Sequence, residues 1–439
     1  MNFIAIISAI LLAIDLCSSD SVEENVEKQY KGYKVLRLLP NTVDQLHYLS
    51  DLSTDIQLLI PNKKLDFWTQ PKDLNSSVDV MVSPDFYKNI REKLSQQNIK
   101  NKVIIKDVGE LVEQEKKTID DQLLYRTKSW VQNSSAFFEA YHSIAEIYQY
   151  LDDLHSINTN ISAVEVIGTT TEGRPLKLFK IGTKSNSTQK PIIWIDAGIH
   201  AREWIAPSTA LFIANKLITS TDIEVKNLLN VYDFYIMPSA NPDGYEYSRT
   251  SDRMWRKTRS NNPSFWGNYG FHWGSAGSSS YPCSETYHGK APFSEPETKA
   301  ISDYILSKKD NIKMYIAMHS YSQFILTPWG WTSELPKQYN DLLSMGQKAA
   351  QTLQQKYGTH YKVGSSTRIL YAAAGGADDW AHGVAGIKYS YTFELRDTGV
   401  YGFVLPVRFI VPTGEETFDG IKTMCTEIRD EYKLKAVNT

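Results

Sequence analysis

Residues 198–205 read Gly198-Ile199-His200-Ala201-Arg202-Glu203-Trp204-Ile205. An apolar run, Ile192 to Ile195, leads into them, and a helical apolar pattern from Trp204 to Leu217 follows. The two patterns put His200 and Glu203 where a buried strand gives way to a helix. Catalytic zinc commonly takes two histidines and one carboxylate and leaves a fourth position for water. His-x-x-Glu supplies two such ligands from one tight turn. That spacing also occurs by chance, so its meaning depends on the rest of the chain.

Outward from this turn, strands and helices alternate: strand 191–196, helix 204–219, strand 232–237, helix 295–307, strand 312–318, helix 336–356, strand 388–395 and helix 413–431. A helix over 137–154 precedes them. A hairpin, Val164–Thr170 and Leu176–Ile181, turns at Glu172-Gly173-Arg174-Pro175. The alternation predicts an α/β fold: a mixed, largely parallel sheet with helices on both faces. Ligands of such sheets bind beyond the carboxyl ends of the strands. His200, His319 and Glu394 all fall at or just after a predicted strand end, so one crevice collects them. Glu394 interrupts an apolar strand, where a carboxylate is costly to bury unless paired or facing a metal. His319 alone reads equally well as a core-edge histidine. The basic run Arg253–Arg259 alone reads as a solvated face.

The N-terminal part differs. Strands at Tyr33–Leu39, Asp55–Ile60, Val78–Val82 and Val103–Val108, with helices at 42–52 and 84–97, follow a β-α-β-β-α-β order. That order predicts a small ferredoxin-like α+β domain. A polar helix, 109–125, runs into Tyr125-Arg126-Thr127-Lys128-Ser129, a site suited to a trypsin-like protease. Residues 3–16 are apolar and are followed by small residues, as in a signal peptide. The run is too short to span a bilayer comfortably, and no later stretch is long and apolar enough. The expected organisation is a signal peptide over 1–19, a propeptide over 20–128 and a catalytic domain over 129–439, in a secreted, extracellular protein without a membrane partner.

Composition sets the class. The chain has 439 residues, 22% of them charged and 42% apolar, which suits a globular protein. A net charge of −3 without a long basic block argues against nucleic acid as a partner. Of the three cysteines, Cys17 borders the signal peptide, while Cys283 and Cys425 either pair or stay free. Sequons at Asn75, Asn133, Asn160 and Asn186 fit a secreted chain.

Eight ordered segments decide the family resemblance. They are GIHAREWI (198–205), PSANPDGY (238–245), RMWRKTRS (253–260), PCSETYHG (282–289), FSEPE (293–297), HSYSQ (319–323), AAGGADDW (373–380) and FELRDTGVYGF (393–403). With the N-terminal domain, they make nearly the whole chain resemble the zinc metallocarboxypeptidases of the pancreatic A/B type. The resemblance implies a monomeric secreted zymogen that binds Zn2+ and acts on peptide or protein C-termini. Its propeptide would cover the site until a trypsin-like protease cuts near Arg126–Lys128.

Carried over by position, His200, Glu203 and His319 match the zinc ligands, and Glu394 matches the general base. Arg256 matches the residue that stabilises the oxyanion. Arg202 matches a substrate-binding arginine one subsite from the scissile bond. Tyr371 matches the tyrosine that closes over the terminal carboxylate. Ser320 and Tyr321, in HSYSQ, are taken as further substrate-binding residues. Asp378 falls at the floor of the specificity pocket, which implies a preference for C-terminal Lys or Arg, and Ser366 keeps that pocket wide. The competing reading makes Asp378 a helix cap.

The chain departs from the family pattern between Arg259 and Cys283, where it is shorter. The resemblance implies that four features are missing there: the half-cystine that pairs with Cys283, the Asp that orients His200, and the Asn and Arg that grip the substrate carboxylate. Gly267 occupies the aligned Arg position. Arg253, Lys257 and Arg259 are the nearby candidates to replace that cation. The alternative function is therefore a zinc-binding, catalytically impaired homologue that binds peptides.

Overall fold

The computed structural model describes residues 29–59, 64–123, 134–184, 190–260 and 268–435. The expected signal peptide, the cleavage segment Arg126–Lys128 and Gly267 lie outside the described residues.

The N-terminal domain has four strands: β1 (Lys34–Leu39), β2 (Leu65–Phe67), β3 (Val78–Val82) and β4 (Lys100–Ile105). They form an antiparallel sheet in the order β2-β3-β1-β4. Helices Val43–Leu59 and Tyr87–Gln96 complete the expected β-α-β-β-α-β unit. One strand assignment is corrected: residues 55–59 continue the first helix, and the second strand is Leu65–Phe67. Leu46, Leu49, Leu52, Ile56 and Leu59 keep helical spacings of three and four, and this period overrides local strand preference. The pleat then assigns the faces. Leu36, Leu38, Val80 and Val82 pack with Leu49, Ile90 and Leu94 of the domain's own helices. Val35 and Met81 point the other way and join Trp68, Met254, Tyr321 and Phe403 in a core shared with the second domain.

The second domain carries β5 (Ser162–Thr169), β6 (Pro175–Ile181), β7 (Ile192–Ala197), β8 (Asp233–Met237), β9 (Ile312–Ser320), β10 (Phe324–Thr327), β11 (Lys362–Ser365) and β12 (Tyr389–Leu395). Their order is β11-β10-β12-β9-β7-β8-β6-β5. The centre, β12-β9-β7-β8, is parallel, and the flanks add antiparallel pairs. All six residues of β7 are buried, as expected for a parallel strand covered on both faces. Ile193 and Ile195 pack towards helices Ile144–Ile157, Ile205–Thr219 and Ile410–Glu431. Ile192 and Trp194 pack towards Ile301, Ile305 and Trp380 on the opposite face. The sequence reading missed β10 and β11, which have four residues each.

Cys425 is free and buried, so Cys283 and Cys425 do not pair. Among the described residues no helix is long and apolar enough to cross a membrane.

Candidate active site

Three neighbouring parallel strands deliver the site. In the order β12-β9-β7, their carboxyl ends lie along one edge of the sheet. His319 is in β9, Glu394 is its register partner in β12, and His200 follows β7. This is the crevice that an open α/β sheet offers to a ligand.

The turn that carries His200 depends on Gly198. Its φ is +69°, and a Cβ there would meet Pro207 Cγ at 2.9 Å, so only glycine enters this bend without strain. Asn241 braces the turn: its side-chain amide donates to the carbonyls of Ile199 and Lys257, each at 3.0 Å. Ala201 N–H donates to the Arg256 carbonyl at 3.0 Å, which ties the basic segment to the same turn.

His200, Glu203 and His319 are buried and offer ligand atoms that all lie within 4.8 Å of one another. His200 Nδ1 is 2.6 Å from Glu203 Oε1, and His319 Nδ1 is 3.1 Å from Glu203 Oε2 and 3.0 Å from His200 Nδ1. Two ring nitrogens and one carboxylate converging on a point are the donor set of a catalytic zinc site. Burial would raise the Glu203 carboxyl, but the flanking histidines outweigh it and hold the group below the usual carboxylate range. Arg256 Nη1 donates to Glu203 Oε1 at 3.1 Å, and Ser320 N–H donates to Glu203 Oε2 at 3.2 Å. Glu394 faces the same cleft. Desolvation in this enclosed corner, helped by the like charge of Glu203, pushes its pKa up to about 8.

The cleft is lined by His200, Glu203, Arg256, Ser320, Tyr321, Tyr371 and Glu394 from the second domain. Seven of the ten site residues singled out from sequence therefore share one wall. Trp68 and Thr69 of the first domain complete the lining, and the remaining cavity is about 20 Å³, room for roughly one water. Arg202 is buried beside it and donates to Asp66 Oδ2 at 2.8 Å. Tyr321 donates its hydroxyl to Asp79 Oδ2 at 3.0 Å, and Arg37 grips the same carboxylate through two nitrogens. Trp68 packs edge-on against Tyr321 and Phe403. Sequence reading missed Asp66, Trp68 and Asp79 because nothing local marks a side chain that faces another domain.

Asp378 is buried in helix Ala377–Gly383, whose N-cap is Gly376 without a side-chain capping bond, so Asp378 is not the cap. Its neighbour Asp379 accepts from Gly330 N–H and Trp331 N–H. Asp378 instead acts electrostatically on Glu394, and burial raises its own carboxyl.

The three candidate replacements for the arginine that the resemblance leads one to expect are engaged elsewhere. Arg253 grips Glu115 of the first domain and stacks over Trp204. Lys257 donates to the Pro282 carbonyl at 2.8 Å. Arg259 lies over the rings of Tyr247 and Trp255.

Comparison with known proteins agrees with this geometry. The family model for zinc carboxypeptidase matches residues 147–420, and the model for the carboxypeptidase activation peptide matches residues 36–115. The chain is 40% identical to carboxypeptidase A2 of Mus musculus over 413 residues, covering 92% of this chain and 95% of that protein. It is 48% identical to carboxypeptidase B of Astacus astacus over 301 residues, covering 67% and 98%. The crystal structure of thrombin activatable fibrinolysis inhibitor superposes with a TM-score of 0.81 at 33% identity, covering 91% of this chain and all (100%) of that one.

Proposed function

Because the chain belongs to the zinc carboxypeptidase family, with an activation-peptide domain ahead of its enzyme domain, we propose that it is the secreted zymogen of an enzyme that hydrolyses C-terminal peptide bonds and prefers Lys or Arg. The observation that carries this reading is the convergence of His200, Glu203 and His319 beside Glu394, with Trp68 of the propeptide over the cleft.

His200, Glu203 and His319 would hold the zinc. When bound, zinc lowers the pKa of water and polarises the scissile carbonyl. Glu394 takes the proton of the attacking water and passes it to the leaving amine. Arg256 stabilises the negative oxygen of the tetrahedral species from a site shielded from bulk water. Arg202, Ser320 and Tyr321 receive the peptide upstream of the scissile bond, and Tyr371 closes over its terminal carboxylate. Asp378 receives a cationic terminal side chain, which satisfies a buried carboxylate better than an apolar group does. Activation requires cleavage near Arg126–Lys128, because Trp68, Thr69 and Asp66 occupy the substrate's path.

The test is Glu394→Gln in trypsin-treated, zinc-loaded protein. The variant is expected to lose about 10²–10⁴-fold in kcat with peptide affinity kept. Retention of kcat within tenfold would remove Glu394 from the mechanism. One observation favours a second reading, a peptide-binding homologue with impaired turnover: Arg253, Lys257 and Arg259 are all committed away from the substrate carboxylate. Peptide binding without hydrolysis by the activated protein would establish that reading.

A further inference from the structure

Arg202 is almost entirely buried. Its Nη1 donates to Asp66 of the propeptide at 2.8 Å and lies 3.4 Å from the Met254 carbonyl. Its Nε is buried and has no hydrogen-bond partner among the described residues. A buried donor left unmade costs about 1–3 kcal/mol, so such an atom calls for an explanation.

A complementary atom lies in a loop tied to the same site. Glu285, in the segment PCSETYHG, has a buried carboxylate oxygen, Oε2, that also lacks a partner among the described residues. Its loop is tied to the site by Lys257, whose ammonium donates to the Pro282 carbonyl at 2.8 Å and to the Ser284 carbonyl at 3.4 Å. Lys257 follows Arg256, whose carbonyl accepts from Ala201 N–H at 3.0 Å. These tethers tie the Glu285 loop to the turn that carries Arg202. The Glu285 charge accordingly acts on both Arg202 and Arg256.

Three carboxylates thus act electrostatically on one guanidinium: Asp66, which it contacts, Glu285 and Glu203. Asp66 leaves with the propeptide. Glu203 is committed to His200, His319 and Arg256. Only Glu285 remains to balance Arg202 in the activated protein. We propose that Glu285 is a positioning residue: it takes Arg202 over from Asp66 on activation and holds the guanidinium where it meets the peptide upstream of the scissile bond. The proposal deepens the reading above, since it rests on Arg202 being a substrate-binding residue.

The test uses trypsin-activated protein and two non-hydrolysable reduced-amide peptide analogues. One spans only the two residues that flank the scissile bond, and the other adds two upstream residues. Neither readout needs turnover, so failure of the hydrolase reading leaves the test intact. Glu285→Gln is expected to weaken the longer analogue about 3- to 10-fold, the effect of one lost charge-assisted contact, and to leave the shorter one within twofold. Glu285→Asp should recover most of that loss. In an Arg202→Gln background, Glu285→Gln should have no further effect. Equal losses for the two lengths, no loss for either, or an additive effect in the Arg202→Gln background would overturn the proposal. Wild-type protein that bound both analogues equally would overturn it together with the assignment of Arg202.

Discussion

Arg202 donates to Asp66 at 2.8 Å, and both side chains are buried at the junction of the two domains, 2% and 6% exposed. The residue that matches a substrate contact is therefore held by the segment that must leave before substrate enters. Removing one partner of a buried pair costs about 3–5 kcal/mol, because the other charge stays buried without compensation.

Asp66→Asn is accordingly expected to loosen the propeptide of the uncleaved chain. The ratio of docked to undocked propeptide should fall roughly 10²–10⁴-fold. The measurable consequence is peptide binding or hydrolysis by the intact, uncut chain, which wild type should lack. An Asp66→Asn chain as closed as wild type would show that Trp68 and the apolar interface suffice.

Asp378→Ala is expected to change substrate choice more than turnover. Release of C-terminal Arg and Lys should drop at least tenfold in kcat/KM, while release of a C-terminal Leu or Phe should hold or improve. The ratio of the two values checks this. An unchanged ratio would return Asp378 to a structural role in helix Ala377–Gly383.

How far these residues were readable in advance depended on locality. β7, β9 and β12 are largely apolar, and His200, His319 and Glu394 fall at or just beyond their carboxyl ends. A strand that ends in a crevice writes itself into the sequence this way, because the buried part must be apolar and the chemistry begins where burial ends. The short strands β10 and β11 offer too few residues for a period to emerge. The second propeptide strand, Leu65–Phe67, was hidden for a related reason: three residues carry no alternation, and the helix before it ran on through Leu59. The contacts of Asp66, Trp68 and Asp79 with Arg202 and Tyr321 join segments more than a hundred residues apart. No local pattern records such a meeting.

Glu297 supplies a pH prediction away from the catalytic cleft. Its carboxylate is buried without a hydrogen-bond partner among side chains of the described residues, and burial raises its pKa from 4.5 to about 7. The raised value means that the folded state prefers the protonated form. The stability linked to this group is present below pH 4.5 and is lost as pH rises through 7. Glu297→Gln should therefore match wild type near pH 4.5 and exceed it above pH 7, by up to about 3 kcal/mol. Thermal unfolding at pH 5 and pH 8 checks this; equal Tm differences at both would refute it.

His200, Glu203 and His319 are proposed to form a working zinc centre, with Glu394 beside it, under the cover of the propeptide. The most direct measurement is release of C-terminal Arg or Lys from a peptide by purified protein, before and after trypsin treatment, with and without a chelator. No release is expected before treatment, and release is expected afterwards. The activity should be abolished by the chelator and restored by added Zn2+. Activated, zinc-loaded protein that frees neither basic nor aromatic C-terminal residues would contradict the proposal.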